Sequence, residues 1–153
     1  MDYGLNYKFK LFFFQCSLLL SIPNISKWNT DKVIDMNFMC SYCTSLIFIP
    51  DITKWNTDNV IDMSFMFSHW SLLDNLPDIS KRKTYNVMDM SFMFYGCSSL
   101  KYLPGIDRFD RYKTKNMCYM INEYPSLIST QKIYKYTDFL EIIPPSRWKN
   151  DPF

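Results

Sequence analysis

A repeat of 27 residues runs through most of the chain and constrains its fold more than any other feature. Residues 22–48, 49–75 and 76–102 follow one another without a gap, and neighbouring copies agree at more than half of their positions. Successive copies open with the dipeptides Ile22-Pro23, Ile49-Pro50, Leu76-Pro77 and Leu103-Pro104. A unit this short cannot bury an apolar face alone, so the repeat predicts stacked units that share one core.

The same register continues beyond the three clear copies. Residues 9–21 match the second half of a unit, residues 103–129 form a degenerate fourth unit, and residues 130–136 match the start of a fifth. We therefore predict an N-terminal extension at 1–8, a repeat region at 9–136 and an irregular C-terminal tail at 137–153.

Each unit is predicted to contain a short strand, a polar turn and a short helix. The apolar stretch that ends at Pro104 indicates a strand, and Asn56-Thr57-Asp58-Asn59 has the composition of a turn. Asp62, like Asp35 and Asp89, lies where a helix N-cap is wanted. Apolar residues at helical spacing are Val60, Met63, Met66 and Phe67. The predicted fold is an α/β, leucine-rich-repeat-like solenoid of about four and a half strand–turn–short-helix units.

Residues at the same position of successive units are predicted to form core ladders, which accounts for most of the ten methionines. The ladders are Met36, Met63, Met90 and Met117; Met39, Met66, Met93 and Met120; and Leu19, Leu46, Leu73, Leu100 and Leu127.

The repeated phrase resembles that of the BspA-like leucine-rich-repeat surface proteins of bacteria, mycoplasmas and some protists. Residues 77–100 carry the resemblance best, in Pro77, Asp78, Ile79, Ser80, Lys81, Asn86, Val87, Asp89, Met90, Met93, Phe94, Gly96, Cys97 and Leu100. The resemblance implies a repeat solenoid, a role in adhesion or protein recognition, and a location at the cell surface, with no catalytic residues to transfer. The chain departs from the phrase at Arg82-Lys83 and at His69-Trp70.

Cysteines are predicted to be buried free thiols rather than ligands. Cys16, Cys43 and Cys97 share one position that Trp70 and Tyr124 fill in other units, which indicates an apolar core position. Cys40 and Cys43 form a lone C-x-x-C, so a disulfide or a zinc site stays as the alternative. For the three repeated aspartates, capping is favoured over a calcium ladder because no glycine-rich calcium loop accompanies them.

One basic residue per unit, followed mostly by an aromatic residue, is the candidate binding feature. We predict that these residues form a recognition face for an acidic or glycosylated protein. The alternative is that the cations are simply solvated and the rings cover the edge of the core. The candidate residues are Lys27, Trp28, Lys54, Trp55, Lys81, Arg82, Arg108 and Phe109.

Composition and motifs together disfavour an enzyme. Three glycines and a single histidine leave little for phosphate loops or for nucleophile–base pairs, and no catalytic constellation is present. A net charge of +2 gives no reason to expect a nucleic-acid partner, and no cofactor or metal is expected. We predict a non-enzymatic repeat protein for protein–protein recognition or adhesion. The alternative is a structural or degenerate fragment of a larger array with no ligand of its own.

The apolar segment at 9–22 bears on the cellular location. It is too short to span a bilayer and is interrupted by Lys10 and Gln15, and no small-residue cleavage site follows it. We therefore expect no membrane span and find no convincing signal peptide, and a signal-peptide apolar region or a membrane anchor at 9–22 stays as the alternative. The surface location rests on the resemblance alone, and an intracellular location stays open.

Overall fold

The computed structural model describes residues 8–77, 79, 83–103, 105–109 and 112–121. In it, segments 27 residues apart lie side by side in parallel. The contacts between units are isolated bridges rather than strands: Lys8 to Asp35, Asp35 to Asp62, Asp62 to Asp89, Asp89 to Asn116, and Asn75 to Tyr102. The chain thus forms a stack in which equivalent residues of successive units are neighbours.

Main-chain hydrogen bonds explain how the units adhere. In the first unit, the N–H groups of Met36, Phe38, Cys40 and Tyr42 donate to the carbonyls of Asp62, Ser64, Met66 and Ser68 at 2.9–3.1 Å. The N–H groups between them turn back within the unit, as from Met39 to the carbonyl of Met36. Alternate N–H groups therefore point forward to the next unit, and the same pattern recurs from residues 9–15 to residues 90–94.

Two residues per unit have left-handed backbone conformations, four positions apart. The first position holds Leu11, Phe38, Phe65, Phe92 and Tyr119, with φ between 52° and 60°. The second holds Gln15, Tyr42, His69 and Gly96, with φ between 56° and 73°. A left-handed residue breaks both a helix and a strand, because it reverses the local course of the backbone. Turn conformation therefore replaces regular structure throughout this part of each unit.

The predicted α/β solenoid of strand–turn–short-helix units is wrong. Among the described residues there is no strand, and the one helical element is the 3-10 turn Ile106–Arg108. The predicted helix fails because Phe65, inside it, has a φ of 55°. The predicted strand before Pro104 is reduced to the bridge at Tyr102 and one hydrogen bond from the Lys101 N–H to the Asp74 carbonyl.

The predicted core ladders are buried even though the predicted helix is absent. Val60, Met63, Met66 and Phe67 are each at most 3% exposed. The methionine ladders are buried from Met36 to Met120, and Leu46, Leu73 and Leu100 are buried beside them. Leu19, the first member of the predicted leucine ladder, is only half-buried against the core. Leu127, the partial unit at 130–136 and the tail at 137–153 lie outside the described residues. Side-chain burial followed from the 27-residue register, whereas the backbone conformation did not.

The repeated aspartates cap turns rather than helices. Asp62 Oδ1 accepts hydrogen bonds from the Ser64 N–H at 2.8 Å and from the Ser64 hydroxyl at 2.6 Å. Asp89 binds Ser91 with the same two distances, and Asp35 accepts from the Asn37 N–H at 2.9 Å. An acceptor two residues before its donor defines an Asx turn. The prediction of a helix N-cap is therefore corrected to a turn cap at the same residues.

Candidate functional site

The basic residues of the candidate face lie on the surface of the stack. Lys27, Lys54 and Arg108 are exposed, and none of them makes an ion pair with another described residue. Lys81 and Arg82 lie outside the described residues. We call Lys27, Lys54 and Arg108 the cation column, because they occupy the same position in units one, two and four.

The aromatic members of the predicted face mostly point into the core. Trp55 and Phe109 are each 5% exposed, and the Trp55 indole N–H donates to the Ile25 carbonyl at 2.9 Å. Trp28 is half-buried, and its ring stacks on that of Trp55 with centroids 6.2 Å apart and planes 4° apart. Of these three rings, only Trp28 leaves a substantial surface for a partner.

A small cavity confirms the inward position of these rings. Its volume is about 20 Å³, and Trp55 and Phe109 form part of its wall together with core methionines such as Met63. Such a volume holds no more than about one water molecule. The cavity therefore offers no site for a ligand, and the aromatic residues around it fill the interior.

Lys83, in contrast to the cation column, forms an ion pair on the surface. Its Nζ lies 2.9 Å from Asp58 Oδ2, in the preceding unit. The hydrogen bond and the negative charge of Asp58 raise the pKa of Lys83 above its ordinary value. The cation column has no comparable carboxylate among the described residues.

The position shared by cysteine and tryptophan is a hydrogen-bond donor position inside the core. The Cys43 thiol donates to the Phe13 carbonyl and the Cys97 thiol to the Phe67 carbonyl, each at 3.0 Å. The Trp70 indole N–H donates in the same way to the Cys40 carbonyl. Each acceptor lies 30 residues before its donor, so the side chain ties one unit to the preceding one. Thiol and indole interchange here because both are apolar groups with one donor.

Burial disfavours ionisation of three of the five thiols, those of Cys40, Cys43 and Cys97. Cys16, Cys40, Cys43, Cys97 and Cys118 are all free. Burial raises the pKa of Cys43 and of Cys97 to about 12, and raises that of Cys40 well above its ordinary value. Within the described residues, no group of three or more His, Cys, Asp or Glu side chains could hold a metal ion.

A column of aromatic rings, which was not predicted from the sequence, lies along the edge of the core, and Phe92 within it is buried. Phe38, Phe65, Phe92 and Tyr119 stack in succession, with centroids 4.3, 4.5 and 5.2 Å apart. Tyr42 and His69 stack beside them at 4.0 Å. An aromatic residue every 27 positions was visible in the aligned units, but the assumption of a helix gave that position no separate role.

Comparison with known families gives a match over most of the chain. Residues 8–136 match the family described as "Mycoplasma protein of unknown function, DUF285". The match covers most of the chain, so the chain belongs to this family. A search of curated proteins found no match. A search of solved structures found none either.

The described part of the chain was also searched for helices that could span a membrane. It contains no helix with the length and apolar character needed to cross a bilayer.

Proposed function

We propose that this chain is a non-enzymatic recognition module of the cell surface that binds an acidic protein partner through the cation column. One observation carries the proposal. Lys27, Lys54 and Arg108 are exposed, and no described carboxylate pairs with them. Lys83 differs from them, because its ammonium group pairs with Asp58 of the preceding unit.

The parallel register concentrates this charge. The rings of Trp28 and Trp55, which follow the two lysines, stack with their centroids 6.2 Å apart. Lys27 and Lys54 occupy equivalent positions of neighbouring units, so their ammonium groups share one part of the surface. Water and salt keep the repulsion between them modest, but an anionic partner would remove it and be attracted by both charges.

The resemblance to BspA-like surface proteins supports the same function. The resemblance to that group implies a role in adhesion or protein recognition. Membership of the Mycoplasma family is compatible with such a role. That family has no established function, so the support for a binding role comes from the resemblance of the repeated phrase and from the unpaired cations.

Binding of a defined anionic probe to the full chain tests the proposal. We expect a fluorescent polyglutamate peptide to bind in low salt, and binding to weaken at least tenfold in Lys27→Glu/Lys54→Glu/Arg108→Glu. The matched control is Lys101→Glu/Lys113→Glu/Lys115→Glu, which makes the same change of net charge at exposed lysines elsewhere. Since screening by salt weakens exposed charge contacts, affinity should also fall as salt is raised.

The outcomes separate the alternatives. Equal weakening in both triple variants would mean that the probe responds only to net charge, and the cation column would not be the site. Binding of heparin without binding of polyglutamate would replace the protein partner with a sulfated glycan. Trp28→Ala provides a further check, because its half-buried ring adjoins Lys27 and its loss should weaken binding without a change of charge.

A further inference from the structure

The residues shortly before each repeated proline leave large apolar side chains on the surface. Ile47 is 56% exposed, Phe48 49%, Leu72 52% and Tyr102 50%. A single exposed apolar residue needs no explanation, whereas several on one side of a protein mark an interaction surface. Described segments lie on both sides of Ile47, Phe48 and Leu72, so the exposure of these three does not arise at an end of the stack.

The segments that carry these side chains lie next to one another. The Ser71 hydroxyl donates to the Thr44 carbonyl at 3.4 Å, and the Ser98 hydroxyl donates to the Ser71 carbonyl at 3.5 Å. Further along the same segments, Asn75 and Tyr102 form a parallel bridge. The segments therefore form one continuous surface. We call it the pre-proline face and define it as the exposed side chains of residues 47–48, 72–75 and 99–102.

Charge on the pre-proline face is limited to one acid and one base. Asp74 and Lys101 are exposed at equivalent positions of neighbouring units, and neither makes an ion pair with another described residue. Along the stack this position holds Ile47, Asp74, Lys101 and, by the sequence register, Ile128, which lies outside the described residues. The order apolar, acidic, basic, apolar is complementary to its own reverse, because the acid then meets the base and isoleucine meets isoleucine.

We propose that the pre-proline face is a dimer interface, at which it pairs with the same face of a second copy of this chain in antiparallel orientation. A two-fold axis between units two and three places Asp74 opposite Lys101 of the second copy, and Lys101 opposite its Asp74. The same axis places the Tyr102 ring opposite Asn75 of the second copy. This interface goes beyond the proposed function and does not depend on it, because the cation column is not part of it.

The charge pattern favours this occupant and this orientation. Two copies in parallel orientation would bring Asp74 against Asp74 and Lys101 against Lys101, and like charges across an interface oppose association. An uncharged occupant, such as a neutral lipid surface, would remove water from both charges without providing a partner for either. Only the antiparallel copy covers the apolar side chains and also pairs both charges.

Sedimentation equilibrium of the full chain tests the proposal. We expect a reversible dimer. Asp74→Lys and, separately, Lys101→Asp should each weaken it at least tenfold, because like charges then meet twice across the two-fold axis. The matched control is Lys115→Asp, which makes the same change of charge as Lys101→Asp at an exposed lysine outside the pre-proline face and should leave the dimer unchanged.

An equimolar mixture of Asp74→Lys and Lys101→Asp separates a contact between copies from an effect within one chain. In the mixed dimer, both lysines of the first variant face aspartates of the second. The mixture should therefore associate about as tightly as the original chain, although neither variant does so alone. Circular dichroism verifies that each variant is folded.

An apolar substitution tests the rest of the face. Ile47→Asp should weaken the dimer at least tenfold, because it places a charge in the apolar part of the interface. Ile61→Asp is the matched control, since Ile61 is 44% exposed at a position outside the pre-proline face.

Several results would overturn the proposal. One is a chain that stays monomeric at millimolar concentration. Another is a dimer that persists equally in Asp74→Lys and Lys101→Asp, or a mixture of these variants that associates no more tightly than each variant alone. A monomeric chain that binds phosphatidylcholine vesicles, and loses this binding in Ile47→Asp, would replace the second copy with a bilayer surface.

Discussion

Phe38 and Phe65 stack face to face with centroids 4.3 Å apart and planes 7° apart, although each has a positive φ. The left-handed conformation costs a residue with a side chain roughly 1–2 kcal/mol. Ring pairs contribute about 0.5–1.5 kcal/mol beyond the area they bury. Because Phe65 also stacks on Phe92 at 4.5 Å, two ring contacts offset one unfavourable backbone conformation.

This balance predicts that glycine at position 65 gives a more stable protein than alanine, the reverse of the usual order. Phe65→Ala loses both ring contacts and keeps the backbone cost, whereas Phe65→Gly loses the contacts and removes that cost. We expect the glycine variant to be more stable than the alanine variant by about 1 kcal/mol, measured by chemical denaturation. At Tyr85, where φ is not positive, alanine should be the more stable of the two. The same order at both positions would contradict the left-handed assignment.

Gly96 should not tolerate a side chain. Its φ is 73°, and an added Cβ would lie 3.0 Å from His69 Cδ2 and 3.3 Å from His69 Cα. We expect Gly96→Ala to lower the free energy of unfolding by about 2 kcal/mol, from backbone strain and from this contact.

The double variant Gly96→Ala/His69→Ala separates the two causes. Removal of the ring relieves the contact with Cδ2, but the contact with the His69 main chain and the strain at residue 96 persist. Relative to His69→Ala alone, the substitution at 96 should therefore cost less than in the original chain without becoming neutral. Complete rescue would show that the ring contact alone was responsible.

The Asx turns predict that asparagine can replace aspartate. Asp62→Asn keeps Oδ1 as the acceptor for the Ser64 N–H and hydroxyl, so stability should change by less than about 0.5 kcal/mol. Asp62→Ala leaves a buried serine without this acceptor and should cost about 1–2 kcal/mol. Asn116 already caps the fourth unit, through the Cys118 N–H at 3.1 Å. Equal losses in thermal unfolding for the two variants would contradict the turn cap.

Buried thiols predict a loss of stability at alkaline pH. Burial raises the pKa of Cys43 and Cys97 from an ordinary 9.0 to about 12 in the folded chain. The folded chain therefore holds these protons more tightly than the unfolded chain does. The stabilisation is complete below pH 9 and is lost as the pH rises towards 12.

The free energy of unfolding of the original chain and of Cys97→Val, measured by chemical denaturation at pH 7 and at pH 10.5, tests this loss of stability. Valine cannot ionise, so the variant should lose less stability between the two pH values than the original chain does. Cys118→Val is the control, at a half-buried position. An equal loss in all three proteins would show that the Cys97 thiol does not contribute.

The sequence revealed which residues are inside but not how the backbone runs between them. Met36, Met63 and Met90 were predicted to be in the core from the register alone, and all are at most 2% exposed. The helix was inferred from the spacing of Val60, Met63 and Phe67, yet a chain of turns also brings these positions to one side. Nothing in single-residue propensity indicates that Phe65 is left-handed, since such residues are rarely aromatic.

In the candidate site, too, the sequence predicts the position of a residue in its unit but not the orientation of its side chain. The register assigns Lys27 and Lys54 to equivalent positions, and both are exposed; their role in binding stays a prediction. It could not indicate which way the neighbouring rings face: Trp55 is buried, and its indole N–H donates to the Ile25 carbonyl. The donor function of Cys97 was likewise invisible, because cysteine is usually classed as an apolar residue.

The forward-pointing hydrogen bonds carry a consequence for how such a gene can change. Each junction between the described units uses main-chain donors and acceptors at an offset of 26 residues. Duplication or deletion of 81 nucleotides, or of a multiple of 81, joins donors to the correct acceptors and restores a junction of the same kind. Any other in-frame change of length shifts the alternate N–H groups against the wrong carbonyls. Recombination between copies can therefore lengthen or shorten the protein in whole units while the surviving junctions stay intact.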